Sequence, residues 1–430
     1  MDTGHLYALL EDDPTDIELR VARPGAPEDV DEPEDMELSD EAADHRENLA
    51  LEMDEADLAR IGSQLAEGYE ADLSSRSNLD KETKEGFRTL GLTEDEIDDG
   101  PFDGAATATT PLLMEAAAQF WARAMNELFP PEGPIKHRVN GIETADLQQR
   151  GERVERYMNH QCLIEDPDYY DETSKMIWAL PFRGSAFKWT YWDRNTDTLK
   201  GVYKSTSEVI VHADARSIAT APRATVRTWE QHSDILRLME AGEYRQCSLG
   251  QPSDDPDADT ESDEALRDID HSDSAPPDQK ETRLILVMYA DLDLPGHEHI
   301  GSNGEPSGIK LPYAIELDHQ TSKVLSIRRN WSVSDDLQRP QPALTHYKML
   351  PGFGFYGLGF LQTIGRLQRA SNGAIRAILD GSATASMQGG FVAKNAAMKS
   401  DFYRITPGEW KRTDLTGEEL SRMFYTPPSA

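Results

Sequence analysis

From Phe355 to Asp380 the chain reads FYGLGFLQTIGRLQRASNGAIRAILD. Projected at about 100° per residue, Phe360, Ile364, Leu367, Ala374, Ile375 and Ile378 share one side, while Arg366, Arg369 and Arg376 fall within roughly 80° of one another on a different side. This spacing predicts a helix over 356–380, about 37 Å long at ~1.5 Å per residue. Gly359, Gly365 and Gly373 lie inside it. Each glycine costs about 1 kcal/mol relative to alanine, so such a helix must be held by neighbours or must bend. The plainest reading of the three arginines is a solvated or salt-bridged face; the alternative is contact with phosphate or with acidic groups in an oligomer.

The charge of the chain limits what that helix can serve. The 430 residues carry 79 acidic against 43 basic side chains, a net charge of −36, which excludes a dedicated basic nucleic-acid clamp. The charge is uneven: the stretches 11–40 and 251–281 together hold 25 acidic residues against 4 basic ones. Both contain proline and lack aromatic residues, a composition that cannot bury enough surface to fold alone. They are expected as a disordered arm over 1–40 and a solvated acidic loop over 251–281. The length allows two or three domains of roughly 100–200 residues each. No apolar run approaches the roughly 20 residues needed to span a bilayer, so no membrane partner is expected. MDTGHLYALLEDDPTD has no basic and then apolar start, so secretion is not expected. Cys162 and Cys247 then read as packed thiols in a reducing compartment, with neither a disulfide framework nor a zinc site implied.

Periodicity gives the remaining elements. Leu49, Met53, Leu58, Ile61 and Leu65 predict helix within 39–92, with Ser39 and Asp40 as caps. TPLLMEAAAQFWARAMNELF predicts a helix capped by Thr110 with Pro111 at its first position and Leu112, Ala116, Phe120 and Met125 buried. Helices are also predicted at 145–163 and 170–178. The period then changes: SAFKWTYWD and VYKSTSEVIVHAD alternate as strands around a turn at 195–197. A helix over 230–241 stops at Gly242. TRLILVMYADLDL, LPYAIELD and KVLSIRRNWS predict a small β module from Thr282 to about Ser334. The fold class expected is α+β and mainly helical.

Several patterns suggest chemistry that the sequence does not support. Gly352, Gly354 and Gly357 match G-x-G-x-x-G, but HYKMLPG is a poor buried parallel strand and aromatics fill the variable positions, so a joint between modules is expected rather than a dinucleotide site. His297, Glu298 and His299 alternate faces on an extended segment and find no third ligand in sequence, so a solvated loop is expected. No P-loop or nucleophile-elbow motif occurs. No catalytic constellation, metal site or cofactor is predicted.

The order of these blocks resembles bacteriophage portal proteins, the head-to-tail connectors of tailed phages, and within them the short-tailed-phage type. The carrying segments are RIGSQLAEGYEADLSSR, GPFDGAATATTPLLMEAAAQFWARAMNELFPPEGPIKHRVNG, ALPFRGSAFKWTYWD, KVLSIRRNW, HYKMLPGFGFYGLGFLQTIGRLQRASNGAIRAILDGSATASMQGGFVAKN and ITPGEW, running from about Asn48 to Trp410. None is a catalytic signature.

The resemblance implies a non-enzymatic ring, dodecameric in the family, at a capsid vertex of the virion, with a channel through which double-stranded DNA passes without sequence specificity. It implies as partners the chain itself, the major capsid protein, the terminase large subunit and a tail adaptor. On this pattern 41–250 is wing, 282–350 a clip-like β module with Arg328, Arg329 and Asn330 as docking candidates, and 351–385 a stem helix. Gly352, Gly354 and Gly357 would be its hinge, with Arg366, Arg369 and Arg376 in the channel or between subunits. Such portals usually continue into more wing and often a crown or barrel, whereas this sequence ends at Ala430, so 386–430 is expected as an incomplete return into the wing. A metal-dependent nuclease or hydrolase and a monomeric acidic interaction protein are the alternatives.

Overall fold

The computed structural model describes residues 45–89, 105–142, 144–193, 198–250, 282–301, 304–386, 391–393, 403–404 and 409–413. The chain divides into two units, Met1–Arg46 and Glu47–Ala430, and all the numbered strands and helices lie in the second. The expected acidic arm, the caps Ser39 and Asp40, the acidic loop and most of 386–430 lie outside the described residues.

The protein is α+β. Its largest sheet has five antiparallel strands in the order β3 (Val209–Val211), β4 (Arg223–Gln231), β5 (Thr282–Leu292), β6 (Leu311–Asp318) and β7 (Lys323–Arg329). The central β5 reads as a nearly continuous apolar run because both faces are covered. Leu284, Leu286 and Met288 meet Leu58, Ile61, Leu65 and Tyr69 of helix α1 (Glu55–Ser75). On the opposite face Ile285 meets Ile235, Leu238 and Met239 of α6 (His232–Glu240), and Val287 packs towards the second sheet. That sheet has the order β2 (Thr198–Lys204), β1 (Ser185–Asp193), β8 (Leu344–Lys348). β1 and β2 pair as the expected hairpin, with Asp193 opposite Thr198; the turn itself is outside the described residues.

The β module expected over 282–350 shares its strand pairing with the segments before it. β5 pairs along nine residues with β4, which belongs to the expected wing, and β8 pairs with β1. Strand hydrogen bonds therefore cross the division on both sides, because β5 is too apolar to leave an edge in water. Two buried side chains fasten the sheet to its surroundings. Asn48 fills its hydrogen-bonding capacity: Oδ1 accepts from the Ala50 and Ile327 amides, and Nδ2 donates to the Glu243 and Leu325 carbonyls. Arg283 pairs with Asp318, both essentially inaccessible, and donates to the carbonyls of Leu249 and Gly250.

The helical layer comprises α1, α2 (Ser77–Thr89), α3 (Leu112–Leu128), α4 (Ala145–His160), α5 (Tyr169–Arg183), a short α7 (Phe360–Thr363) and α8 (Gly365–Ser386). Phe87, Leu113, Ala117, Phe182 and Leu361 form the shared core of α2, α3, α5 and α7. The helix predicted within 39–92 is divided: a 3-10 turn at Leu49–Leu51 precedes α1 and α2. In α3 the expected start moves by one residue. Pro111 is the N-cap, and Leu113 and Ala117 are buried while Leu112 is exposed.

The predicted rod over 356–380 also begins later and is interrupted. The backbone of 357 and 358 is already committed: Gly357 N donates to Ser185 Oγ at 2.7 Å, and Leu358 N to Leu350 O at 3.0 Å. Helix starts at Phe360, with Gln362 Oε1 accepting from Gly359 N, breaks at Ile364 (φ −113°) and resumes at Gly365. α8 has 22 residues, about 33 Å.

Candidate functional site

The 351–359 segment delivers the chain from β8 to α7, and its glycines bring backbones together. A Cβ on Gly357 would lie 2.4 Å from Gly184 O, and one on Gly184 would lie 2.5 Å from Gly357 O. Gly184 ends α5 at φ +74°, in the left-handed region that suits glycine. Of the expected hinge glycines, Gly357 is held by Ser185 Oγ, Gly352 closes against Tyr356 O, and a Cβ on Gly354 would meet Ala213 O at 3.5 Å. His346 lies beneath it in a cluster of three rings, its centroid 4.5 and 4.7 Å from those of Phe187 and Phe355, with Nε2 3.0 Å from Ser185 Oγ. Burial, with the Lys348 charge adding to it, holds His346 down at a pKa of about 4.

α8 packs with its polar side inward. Gln368, Asn372, Arg376 and Asp380 recur every four residues and so form one line along the helix. Gln368 Oε1 accepts from Leu113 N at 3.0 Å, and Asn372 Oδ1 from Thr110 N and Oγ1 at 2.8 and 2.7 Å. Arg376 Nε donates to Ala108 O at 3.0 Å, and Asp380 Oδ1 accepts from Ala106 N at 2.7 Å. The line therefore binds the backbone that leads into α3. Gln368 is fully buried and Asn372 is 7% exposed, whereas Leu367 and Ile378 of the predicted apolar stripe are 65% and 67% exposed. From that stripe Phe360 and Ile364 pack against the core, and Ile375 is partly buried.

This arrangement redistributes the arginines. Arg369 pairs with Glu85 of α2 at 3.0 Å, and Arg376 is held by two carbonyls of its own chain. Arg366 is exposed on α8. The inward line was visible in sequence as four polar residues at helical spacing, but the conspicuous apolar stripe pointed to burial of the other side.

The three docking candidates on β7 and after it also separate. Arg328 Nη2 pairs with Glu243 Oε2 at 2.6 Å. Asn330 fastens the base of the following loop: its amide donates to Pro312 O, its carbonyl accepts from Gln341 N, and its side chain donates to Gln341 O. Arg329 lines a cavity of about 380 Å³, which it shares with His297, Glu298, His299, Trp331 and Gln338. Burial pushes the phenol of Tyr313, in the same wall, up to about 12. Gln338 carries no signal in the sequence.

Among the described residues no group of three or more His, Cys, Asp or Glu side chains is placed to hold a metal ion, and no helix is long and apolar enough to cross a membrane. Cys162 and Cys247 are half-buried free thiols, both pushed up by burial. In comparisons with known proteins, no family model and no curated sequence matches the chain.

Proposed function

We propose that this chain is the subunit of a portal-type ring, a non-enzymatic structural protein that surrounds a passage for double-stranded DNA at one vertex of a phage capsid. The observation that carries the reading is the inversion of α8: a buried polar line secures the helix to its own subunit, while Leu367 and Ile378 stay in water. Large apolar side chains aligned on an exposed helix face mark a surface for association, and identical copies about one axis would cover it in a heterologous, closing contact.

An acidic chain suits a passage. Each neutralised phosphate adds to a salt-dependent hold on duplex, so a wall lined with unpaired basic groups would grip. Arg369 and Arg376 are engaged within their own chain, which leaves Arg366 as the channel or intersubunit candidate on this helix. Charge reaches only about 8–10 Å at physiological salt, so residues of the wall outweigh the total of −36. On this reading ATP hydrolysis belongs to the terminase, the ring meets the capsid protein and a tail adaptor, and the finished particle is the virion.

Multi-angle light scattering and negative-stain imaging of the purified full chain test the proposal. A ring with a central hole is expected, together with its loss in Leu367→Glu/Ile378→Glu at unchanged helical circular dichroism. A wild-type chain that remains single and well folded at high concentration overturns it.

A further inference from the structure

We propose that the arginine face of α4 is the docking surface for the chain's own acidic segment 251–281. This contact does not depend on ring assembly.

α4 has no buried residue. One side of it is covered by the chain that precedes it: Asn159 exchanges two hydrogen bonds with the backbone of Ile135, both at 3.0 Å, the His137 amide donates to Glu155 Oε2 at 3.1 Å, and Gly151 lies against the His137 ring. At about 100° per residue, Arg150, Arg153, Arg156 and Tyr157 fall within roughly 120° on another side, with Leu147, Val154 and Met158 as a stripe beside them. The three arginines are exposed, and among the described residues none of them has a hydrogen bond, ion pair or ring contact. Asp146 and Glu152 of the same helix pair with none of them, and Glu155 is engaged by His137. Three adjacent cations left over in a chain with 79 acidic against 43 basic groups call for an anion.

Their neighbours select its kind. Val154 and Tyr157 are 58% and 59% exposed, and Leu147 and Met158 are 41% and 37% exposed. Arg, Tyr and Met are residues that protein interfaces concentrate, whereas a phosphate backbone gives Leu147, Val154 and Met158 nothing to bury against. The partner that fits is an acidic polypeptide with a few apolar side chains. Segment 251–281 is one: it holds 12 acidic residues against 2 basic ones, and its large apolar residues, Leu266 and Ile269, sit among Asp263, Glu264, Asp268 and Asp270.

The segment also begins and ends near this face. Arg283 Nη2 donates to Leu249 O and Gly250 O at 2.8 and 2.7 Å, so the chain leaves for residue 251 and returns at residue 282 from one place. With 31 residues, half of them going out, it reaches up to about 50 Å at ~3.3 Å per residue. Arg283 is the strand partner of Glu230. Burial and the carboxylates of Asp193, Glu230 and Glu172 push the Tyr191 phenol up, which puts Tyr191 within electrostatic range of both Glu230 and Glu172 of α5. Lys200, opposite Tyr191 on β2, pairs with Asp168 at the start of α5 at 3.5 Å. The π-helical turn Gln161–Glu165 then leads back to α4. The arginine face therefore falls inside the reach of the segment, at an effective concentration on the order of 1 mM.

Limited trypsinolysis of the full chain, with cleavage after Arg267 followed by mass spectrometry, is the experiment; the synthetic peptide 251–281 gives the unprotected rate at each salt concentration. At low salt, cleavage after Arg267 is expected to be about tenfold slower in the chain than in the peptide. At about 0.5 M sodium chloride it should return towards the peptide's rate. Arg150→Glu/Arg153→Glu/Arg156→Glu should lose the protection already at low salt, at unchanged helical circular dichroism. Equal rates for wild type and variant at low salt overturn the proposal. So does binding of a duplex of about 20 base pairs by the wild type and not by the variant, with Arg267 cleaved equally in both, which assigns the face to nucleic acid. If the variant does not fold, the wild type decides: no protection at low salt, or protection that persists at about 0.5 M sodium chloride, overturns the proposal too.

Discussion

Gln368 Oε1 lies 3.0 Å from the backbone nitrogen of Leu113 and so caps, from another helix, a first turn whose own cap position is the proline Pro111. A helix start leaves several amides without partners inside the helix, and proline has no side-chain acceptor to offer. Gln368→Ala is therefore expected to cost about 1–3 kcal/mol, as a lost cap and a buried unpaired amide. Gln368→Glu, which keeps an acceptor at a helix N-terminus, should recover part of the loss. The urea midpoints of both variants check this.

The Arg283–Asp318 pair is buried at 1% and 0% side-chain exposure. Removing one partner leaves an uncompensated charge in the core, so Asp318→Ala should destabilise by about 3–5 kcal/mol. The Arg339–Asp335 pair has equally good contacts but an exposed arginine, 71% in water. Although the Arg339 guanidinium and backbone amides hold Asp335 down at a pKa of about 2, Arg339→Ala should leave the global urea midpoint unchanged, since solvent-exposed pairs contribute little.

His346 makes stability depend on pH in a defined direction. Its folded pKa of about 4 lies below the ordinary value of 6.5 because burial, and then the Lys348 charge, penalise the imidazolium. The unfolded chain therefore takes up a proton that the folded chain refuses, and this contribution to stability is complete above pH 6.5 and lost as pH falls towards 4. His346→Phe, which keeps a ring against Phe187 and Phe355, should flatten the thermal midpoint across that window. An identical slope in variant and wild type would count against the assignment.

Two glycines separate packing from propensity. Gly357→Ala drives a methyl group against Gly184 O and is expected to cost about 1–3 kcal/mol or more, since two backbones must move apart. Gly373, in the middle of α8, has open space where a Cβ would sit. Gly373→Ala should stabilise by about 0.5–1 kcal/mol. Thermal melts of the two variants should shift in opposite directions.

The sequence by itself determined what depends on local period and composition. β1 over Ser185–Asp193, β5 over Thr282–Leu292, the helix ending before Gly242 and the approximate extent of α3 all come from alternation, helical spacing and turn residues, which act within a few positions along the chain. Tertiary structure decided which face of each element is covered. The apolar stripe of α8 reads as the buried side, yet Gln368 and Asn372 turn inward because the backbone of 106–113 presents donors that need acceptors. Likewise Arg328, Arg329 and Asn330 are consecutive in sequence but go to an ion pair, a cavity and a loop base, because successive strand residues point apart and the chain beyond the strand turns back on Pro312. A pattern of residue types fixes periodicity; the partner of each face comes from segments tens to hundreds of residues away, and no local pattern encodes it.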